Sequence, residues 1–147
     1  MKLNKSTKYA LYAAMEMTLA AGNGHVTTAQ VAERYRIPSA VMAKVFQQLV
    51  RSGIAVGIRG TRGGYQLARD PAQLTVLDVI EVFEPQHSPV ECLLAESSHQ
   101  PCTDPGACRL KRVLDEVDEL VRCTFASITL ETLVHARPPD VSPPSVG

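Results

Sequence analysis

Several features that would place the chain in a large class of proteins are missing from its 147 residues. No apolar run approaches the ~18 residues needed to span a bilayer, which excludes an integral membrane protein. No Ser/His/Asp set, catalytic pair of carboxylates or phosphate-binding glycine loop is present, which argues against an enzyme. Glu16 and Thr18 interrupt the Ala-rich stretch near the start, so no signal peptide is expected and we predict a cytoplasmic protein.

The chain also has no net charge at pH 7, but its charged residues are unevenly distributed along the sequence. The chain carries 15 basic and 15 acidic side chains. Residues 1–69 hold ten lysines or arginines against two glutamates, a formal charge of +8, whereas residues 70–147 hold five basic against thirteen acidic side chains, a charge of −8. A basic half joined to an acidic half predicts a polyanion-binding unit, with nucleic acid as the expected partner. The alternative is that both halves simply carry solvated charge.

Three helices are predicted in the basic half. Their approximate limits are residues 5–21, 27–36 and 39–52, and Ser39 is expected to cap the third. The first helix has an apolar face formed by Leu11, Met15 and Leu19. The third is expected to bury its larger apolar residues, which are Val41, Met42, Val45, Phe46, Leu49 and Val50. Its other face consists of Ala40, Ala43, Lys44, Gln47 and Arg51.

The periodicity changes after the third helix. Apolar residues alternate with small or polar ones on both sides of a turn rich in glycine and arginine, and they are Ile54, Val56, Ile58, Tyr65 and Leu67. This pattern predicts a β-hairpin with a basic tip that carries Arg59 and Arg62. Two helices joined by a tight turn and followed by a basic hairpin are the order of a winged helix-turn-helix. The predicted fold class is therefore mainly α with a small β-hairpin wing.

The order of these elements also predicts which side chains meet a duplex. The major groove admits one helix, whose first turns approach base edges and need short or hydrogen-bonding side chains. The glycine-flanked tip of the hairpin can approach a phosphate backbone or enter the minor groove. The predicted DNA-binding residues are Ser39, Ala40, Ala43, Lys44, Gln47, Arg51, Arg59 and Arg62. The alternative is an ordinary solvated helix face followed by a simple turn.

The acidic half has two helical parts separated by a long loop. Thr75 begins a helix with a capping-box signal at Asp78. Prolines and the lack of any period predict a loop from Pro85 to Gly106. A long helix follows from about Cys108, and its apolar seam consists of Leu110, Leu114, Val117, Val121, Thr124 and Ile128. This seam predicts a dimerisation helix, although a helix packed in its own core has the same pattern.

These signals divide the chain into five parts. They are a DNA-binding domain (1–70), a connecting helix (71–84), a cysteine-bearing loop (85–108), the long helix with a short final helix (109–135) and a tail (136–147). The short final helix is expected from Thr129 to Val134. The tail holds four prolines and little to bury, so we expect it to be disordered.

Three cysteines lie in or beside the proline-rich loop. Cys92, Cys102 and Cys108 are spaced Cys-x9-Cys-x5-Cys, and Cys108 is expected at a helix start, where the dipole favours the thiolate that coordinates metal. Three thiolates suit an iron-sulfur cluster with a fourth ligand, zinc with a histidine, or a redox disulfide between two of them. Cys123 lies within the long helix, where we expect an ordinary small residue.

Several segments match a pattern found in one family of regulators. They are Met1-Lys2-Leu3, Tyr9-Ala10-Leu11, the hairpin from Arg59 to Leu67, Leu77-Asp78-Val79-Ile80 and the stretch from Ile128 to Val134. With the triple cysteine, they resemble the Rrf2 winged-helix regulators of the IscR, NsrR and RirA types. The resemblance implies a homodimeric bacterial transcription factor that binds promoter DNA. It also implies that Cys92, Cys102 and Cys108 hold a 2Fe-2S or 4Fe-4S cluster, and that the wing arginine is Arg59.

Two features depart from the pattern of this family. The nine residues between Cys92 and Cys102 form a longer gap than in most cluster-binding relatives. The fourth cluster ligand cannot be transferred, because the two positions that supply it in relatives hold Lys111 and Lys8 here. The remaining candidates are His99, His87, Asp104 and Glu96, or an exchangeable thiol or water.

The resulting prediction is a repressor or activator that depends on a cluster and senses iron status, redox state or nitric oxide. The first alternative is a cluster-free regulator of the same fold, controlled by thiol oxidation or by a partner enzyme. The second is a small zinc protein that acts through protein contacts.

Overall fold

A computed structural model describes residues 3–84 and 105–136 of the chain. Its helices are α1 (Lys5–Leu19), α2 (Thr28–Tyr35), α3 (Ser39–Arg51), α4 (Val76–Phe83), α5 (Pro105–Ser127) and α6 (Leu130–His135). The strands are β1 (Ala55–Ile58) and β2 (Gly64–Leu67), and a 3₁₀ turn that the sequence did not predict covers Pro71–Gln73. The predicted fold class, mainly α with a β-hairpin wing and a long helix, is confirmed.

The buried face of α1 differs from the predicted one. Leu19 is exposed, and Leu11 and Met15 are only half-buried. The buried residues are instead Thr7, Ala10, Ala13, Ala14, Met17 and Thr18. Because most of these side chains are small, neighbouring helices can approach α1 closely, and it packs against α3, α4 and α6. The prediction of the buried face of α1 from the spacing of its larger apolar residues is therefore wrong.

A tight turn joins α2 to α3. Thr27 caps α2 in a capping box, in which its hydroxyl accepts from the Gln30 backbone N–H at 3.1 Å and the Gln30 side-chain Oε1 accepts from the Thr27 N–H at 2.9 Å. At the other end Arg36 is left-handed, with φ of 54°, so that the Ile37 N–H donates to the Ala32 carbonyl at 2.8 Å. This C-terminal motif turns the chain sharply into α3.

Helix α3 begins at the predicted residue but without the predicted cap. Pro38 is the N-cap and no side chain caps the helix, so Ser39 is its first residue instead. The expected burial is correct for Met42, Val45, Phe46 and Leu49. It is wrong for Val41 and Val50, which are 37% and 38% exposed. At 3.6 residues per turn these two lie about 90° from the centre of the buried face.

The wing is an antiparallel hairpin joined to the body of the fold by a third short segment. Ala55 pairs with Leu67, and the register continues to the pair of Ile58 and Gly64. The Val26 N–H donates to the Tyr65 carbonyl at 2.9 Å, and the Tyr65 N–H donates back at 2.7 Å. Val56, which the alternation placed with Ile54, is exposed, whereas Ala55 is buried. Ala55 points inward here because that side of β1 faces the packed helices.

Two segments of the acidic half complete the core of the basic half. Thr75 and Asp78 form the predicted capping box of α4, with hydrogen bonds of 2.9 and 3.1 Å. Thr129 caps α6 and pairs with Thr75 in a short bridge. The Leu130 side chain is fully buried in the same core as the α1 and α3 residues. The chain therefore returns to the DNA-binding head after α5.

Helix α5 begins at Pro105, three residues earlier than predicted. Proline suits the first helical position because its missing N–H would be unsatisfied there. Within the chain α5 packs mainly against α4, where Arg122 donates to Glu81 at 2.6 Å. The predicted loop before it, with Cys92, Cys102 and the candidate ligands His87, Glu96, His99 and Asp104, lies outside the described residues. The predicted disordered tail from 137 onward lies outside them too.

Candidate nucleic-acid interface

Four of the predicted DNA-binding residues form a straight ridge on α3. Ala40, Lys44, Gln47 and Arg51 are all exposed and follow the spacing i, i+4, i+7, i+11. That spacing places them on the side of the helix opposite the buried Met42, Val45, Phe46 and Leu49. Ser39 is exposed at the N-terminal end of the ridge, and Ala43 is half-buried at its flank. Helix α3 therefore presents a narrow outward edge that suits a major groove.

The ridge is positively charged and has no acidic neighbour on its own helix. Helix α3 contains Lys44 and Arg51 but neither Asp nor Glu. Within residues 3–84 and 105–136, no carboxylate lies within ion-pair distance of either cation. Both positive charges are therefore available to phosphates, which is the sequence-independent part of DNA binding.

An open cleft beside the ridge adds residues that sequence reasoning missed. It has a volume of about 390 Å³ and lies between the start of α1 and α3. Its lining includes Ser6, Val41 and Gln48 beside the ridge residues. Gln48 could have been found from the sequence, because it is four positions from Lys44. Ser6 could not, since only the packing of α1 on α3 brings it there.

The two wing arginines lie where the sequence predicted them. Arg59 and Arg62 are exposed in the turn between β1 and β2. A second cleft, of about 430 Å³, runs from this turn to Thr28 at the start of α2. Gly63 and Gly64 are both required by close packing, because an added Cβ would meet the Ile58 carbonyl at one and the Val26 carbonyl at the other. The wing can therefore approach a second strip of phosphates next to α2.

A polar brace holds α2 against α1. The Tyr35 hydroxyl donates to a Glu16 carboxylate oxygen at 2.7 Å, and Arg34 approaches the same carboxylate at 3.3 Å. The Tyr35 ring also stacks on Tyr12, with centroids 4.4 Å apart. Burial, followed by the hydrogen bond to Glu16, raises the pKa of Tyr35 from 10.0 to about 12. The brace fixes α2, and with it the angle at which α3 is presented.

Helix α5 carries an apolar face that its own chain leaves exposed. Its residues are Leu110, Val113, Leu114, Val117 and Leu120, each exposed by more than a third and Leu120 by 68%. They lie on the side of the helix away from Arg122, which pairs with α4. Val113 and Leu120 were not in the predicted seam. An apolar stripe of this length on one helix is typical of a surface that binds another chain.

The structure describes the positions of two of the four cysteines, Cys108 and Cys123. Cys108 lies in the first turn of α5. Cys123 is a free, exposed thiol farther along the helix, as an ordinary surface residue would be. Among the described side chains, those of residues 3–84 and 109–136, no three His, Cys, Asp or Glu residues come together as metal ligands. The predicted ligand set therefore stays a prediction.

Comparison with known proteins accounts for this arrangement of ridge, wing and long helix. A model of the Rrf2 family, described as an iron-dependent transcriptional regulator, matches residues 3–136. The chain belongs to the Rrf2 family. Like other Rrf2 proteins it is a DNA-binding transcriptional regulator and not an enzyme. No helix in the described parts of this Rrf2 chain has the length and apolar character to cross a membrane.

Individual Rrf2 relatives match most of the chain. It is 32% identical to the HTH-type transcriptional regulator BadM of Rhodopseudomonas palustris over 134 residues, which are 91% of this chain and 81% of BadM. It is 27% identical to the regulator IscR of Xenorhabdus nematophila over 134 residues, 91% of this chain and 79% of IscR. The structure of CymR, the global cysteine regulator of B. subtilis, has 27% identity and a TM-score of 0.70, and the match covers 94% of this chain and 99% of CymR.

Proposed function

We propose that this Rrf2 regulator is a cytoplasmic homodimer that binds a promoter operator and responds to the state of an iron-sulfur cluster. The observation that carries the proposal is the position of Cys108. Cys108 lies in the first turn of α5, the helix whose exposed apolar stripe is the proposed dimer contact. A change in a cluster bound to Cys108 would therefore act directly on α5. This helix would set the separation of the two DNA-binding heads in the dimer.

The residues of the chain suit a cluster by the chemistry of their donors. Cys92, Cys102 and Cys108 would provide three thiolates, and His99 is the first candidate for the fourth position. A bound 2Fe-2S or 4Fe-4S cluster would supply a charge that changes with redox state or nitric oxide. The iron-dependent description of the family supports this assignment.

The DNA interface is proposed to consist of the α3 ridge with its flanks and the wing. The residues are Ser39, Ala40, Ala43, Lys44, Gln47, Arg51, Arg59 and Arg62. The side chains on α3 would contact base edges and adjacent phosphates, and Arg59 and Arg62 would contact the backbone or the minor groove. Their exposure, and the absence of acidic residues from α3, support this assignment.

Single alanine variants test this interface. Lys44→Ala should weaken binding by about 1–3 kcal/mol and relax selectivity at one base pair. Arg59→Ala and Arg62→Ala should each weaken binding to all sequences and reduce the salt dependence by about one counterion. Arg112→Ala, an exposed cation on α5, is the control. If the wing variants match the parent in affinity and salt slope, the wing is not part of the interface.

Anaerobic purification tests the cluster. We expect coloured protein with visible absorbance and stoichiometric iron and sulfide. Both the colour and the bound iron and sulfide should be lost when Cys92, Cys102 or Cys108 is replaced by alanine. Cys123→Ala, which removes an exposed thiol of α5, should keep the colour. Promoter affinity should change with cluster loss in the parent but not in the three variants. Identical affinities with and without iron would refute the sensing role.

A cluster-free regulator is the second candidate. Its support is the structural similarity to CymR, which is described as a global cysteine regulator, and the long gap between Cys92 and Cys102. In this case the anaerobic protein is colourless and contains no stoichiometric iron. Its DNA affinity would then respond to a thiol oxidant or to an added partner enzyme.

A further inference from the structure

Directly after Ser39, the first turn of α3 exposes apolar side chains. Ala40 is the first residue of the exposed ridge, and it has no polar side-chain atom. Val41 beside it is 37% exposed, although the sequence predicted its burial. The hydrogen-bonding ridge residues, Lys44 and Gln47, follow one and two turns later. Apart from the Ser39 hydroxyl, the first turn of the helix therefore offers methyl groups, and its second and third turns offer polar groups.

The chemistry of base edges limits what such a turn can recognise. In the major groove guanine, cytosine and adenine are read through donors and acceptors, whereas thymine also presents a methyl group. Alanine and other small apolar side chains contact that methyl. An acceptor-only carboxylate, which would select cytosine, is absent from α3. Ser39 could bond to several bases and therefore discriminates little among them.

We infer that Ala40, with Val41 beside it, reads the 5-methyl group of a thymine in each operator half-site. The inference rests on the proposed function, because it assumes that α3 lies in the major groove. It assigns a specificity role to two residues that supply no hydrogen bond or charge. The thymine lies under the first turn of α3, and the base pair that Lys44 reads is its neighbour on the side of the second turn.

The test uses the full chain and operators selected from a library of random duplexes. Each thymine of the best operator is replaced in turn by deoxyuridine, which removes only the methyl group. We expect one thymine in each half-site at which this change weakens binding about fourfold. This is the effect of losing the burial of one methyl group. At that position 5-methylcytosine should also bind better than cytosine.

Protein variants then assign the effect to Ala40. In Ala40→Gly and Ala40→Ser the affinity ratio between thymine and deoxyuridine should fall below fourfold, while Val41 still contacts the methyl group. Because both duplexes are measured with the same protein, a loss of folding stability in either variant cancels from the ratio. Ala126→Gly, on the exposed surface of α5, should keep the fourfold ratio.

The outcomes separate this inference from the proposed function. If no sequence is enriched from the library, the proposed interface fails and the inference fails with it. If an operator is enriched but no thymine responds to deoxyuridine, only the inference fails. A sensitive thymine whose ratio is unchanged in both Ala40 variants also overturns it.

Discussion

At the scale of single residues, a few side chains stabilise the DNA-binding head through contacts between residues far apart in the sequence. Local sequence patterns do not predict these contacts. The Glu16 carboxylate is largely buried, with its side chain 12% exposed, and it accepts from Tyr35 while pairing with Arg34. Arg34 and Tyr35 lie 18 and 19 positions from Glu16 along the chain. Their function is to position α2 and, through it, α3.

Removal of the Tyr35 hydroxyl should destabilise the fold. Tyr35→Phe loses the 2.7 Å hydrogen bond to Glu16, for which we expect a cost of about 1 kcal/mol at pH 7. The pKa of Tyr35 is about 12 in the folded state against an ordinary 10.0, so the folded protein keeps the proton longer. The stabilisation is complete below pH 10 and is lost as the pH rises toward 12. Urea unfolding of parent and variant between pH 7 and 11 measures this difference, and a constant gap across the range would contradict the assignment.

Two glycines of the wing provide a matched pair for the effect of close packing. A Cβ at Gly64 would collide with the Val26 carbonyl, whereas at Gly57 it would meet only the Tyr65 ring at 4.0 Å. We expect Gly64→Ala to lower the free energy of unfolding by about 1–3 kcal/mol. Gly57→Ala should stay within about 0.5 kcal/mol of the parent. Equal denaturation midpoints for the two variants would show that the Val26 segment can move away from the wing.

At the scale of elements, the sequence predicts local capping signals well and burial only in part. The Thr75 and Asp78 capping box could be predicted because both partners lie within one helical turn. The buried face of α1 could not, since Ala10 and Ala13 are inside only because other helices approach them. Val41 lies about 90° from the centre of the buried face of α3, so helical spacing leaves its burial open, and it lines the cleft between α1 and α3. The ridge on α3 was predictable, since helical spacing alone selects its residues.

Helix α5 should determine the oligomeric state. Val117→Glu places a charge in the centre of the exposed apolar stripe, where a partner helix would have to bury it. We expect the variant to sediment as a monomer at concentrations at which the parent is a dimer. Ala126→Glu adds the same charge to α5 outside the stripe and should leave the dimer intact. A monomeric parent, or a dimeric Val117→Glu variant, would exclude the stripe as the dimer contact.

At the scale of the whole molecule, the start of the chain is joined to the end of α4, just before the segment that holds the first two cysteines. A Glu84 carboxylate oxygen accepts from the Asn4 N–H at 2.9 Å and from the Thr7 hydroxyl at 2.6 Å. Thr7 is fully buried, and the Asn4 side chain also donates to the Phe83 carbonyl at 3.0 Å. These contacts span about 80 residues of sequence, and no periodicity or motif predicts them.

Loss of the Glu84 carboxylate, directly after α4, should therefore cost more than loss of a surface carboxylate within α4. Glu84→Ala leaves the buried Thr7 hydroxyl without one of its acceptors, and we expect a loss of about 1–3 kcal/mol. Glu81→Ala removes an exposed ion pair with Arg122 and should cost at most about 1 kcal/mol. Thermal and urea unfolding of the two variants measure the difference, and the reverse order would show that Glu84 does not hold the two segments together.

The reciprocal hydrogen bonds between Val26 and Tyr65 limit the ways in which a signal can alter DNA binding. With the Phe46 and Tyr65 rings stacked at 4.5 Å, they join the wing and α3 to a single core. Because the wing and α3 are packed on one core, we expect an effector to move the head as a unit. In the proposed dimer, the remaining variable is the rotational phase of one head relative to the other along the duplex. Promoters that respond to the signal would then differ in the number of base pairs between their half-sites rather than in the half-sites themselves.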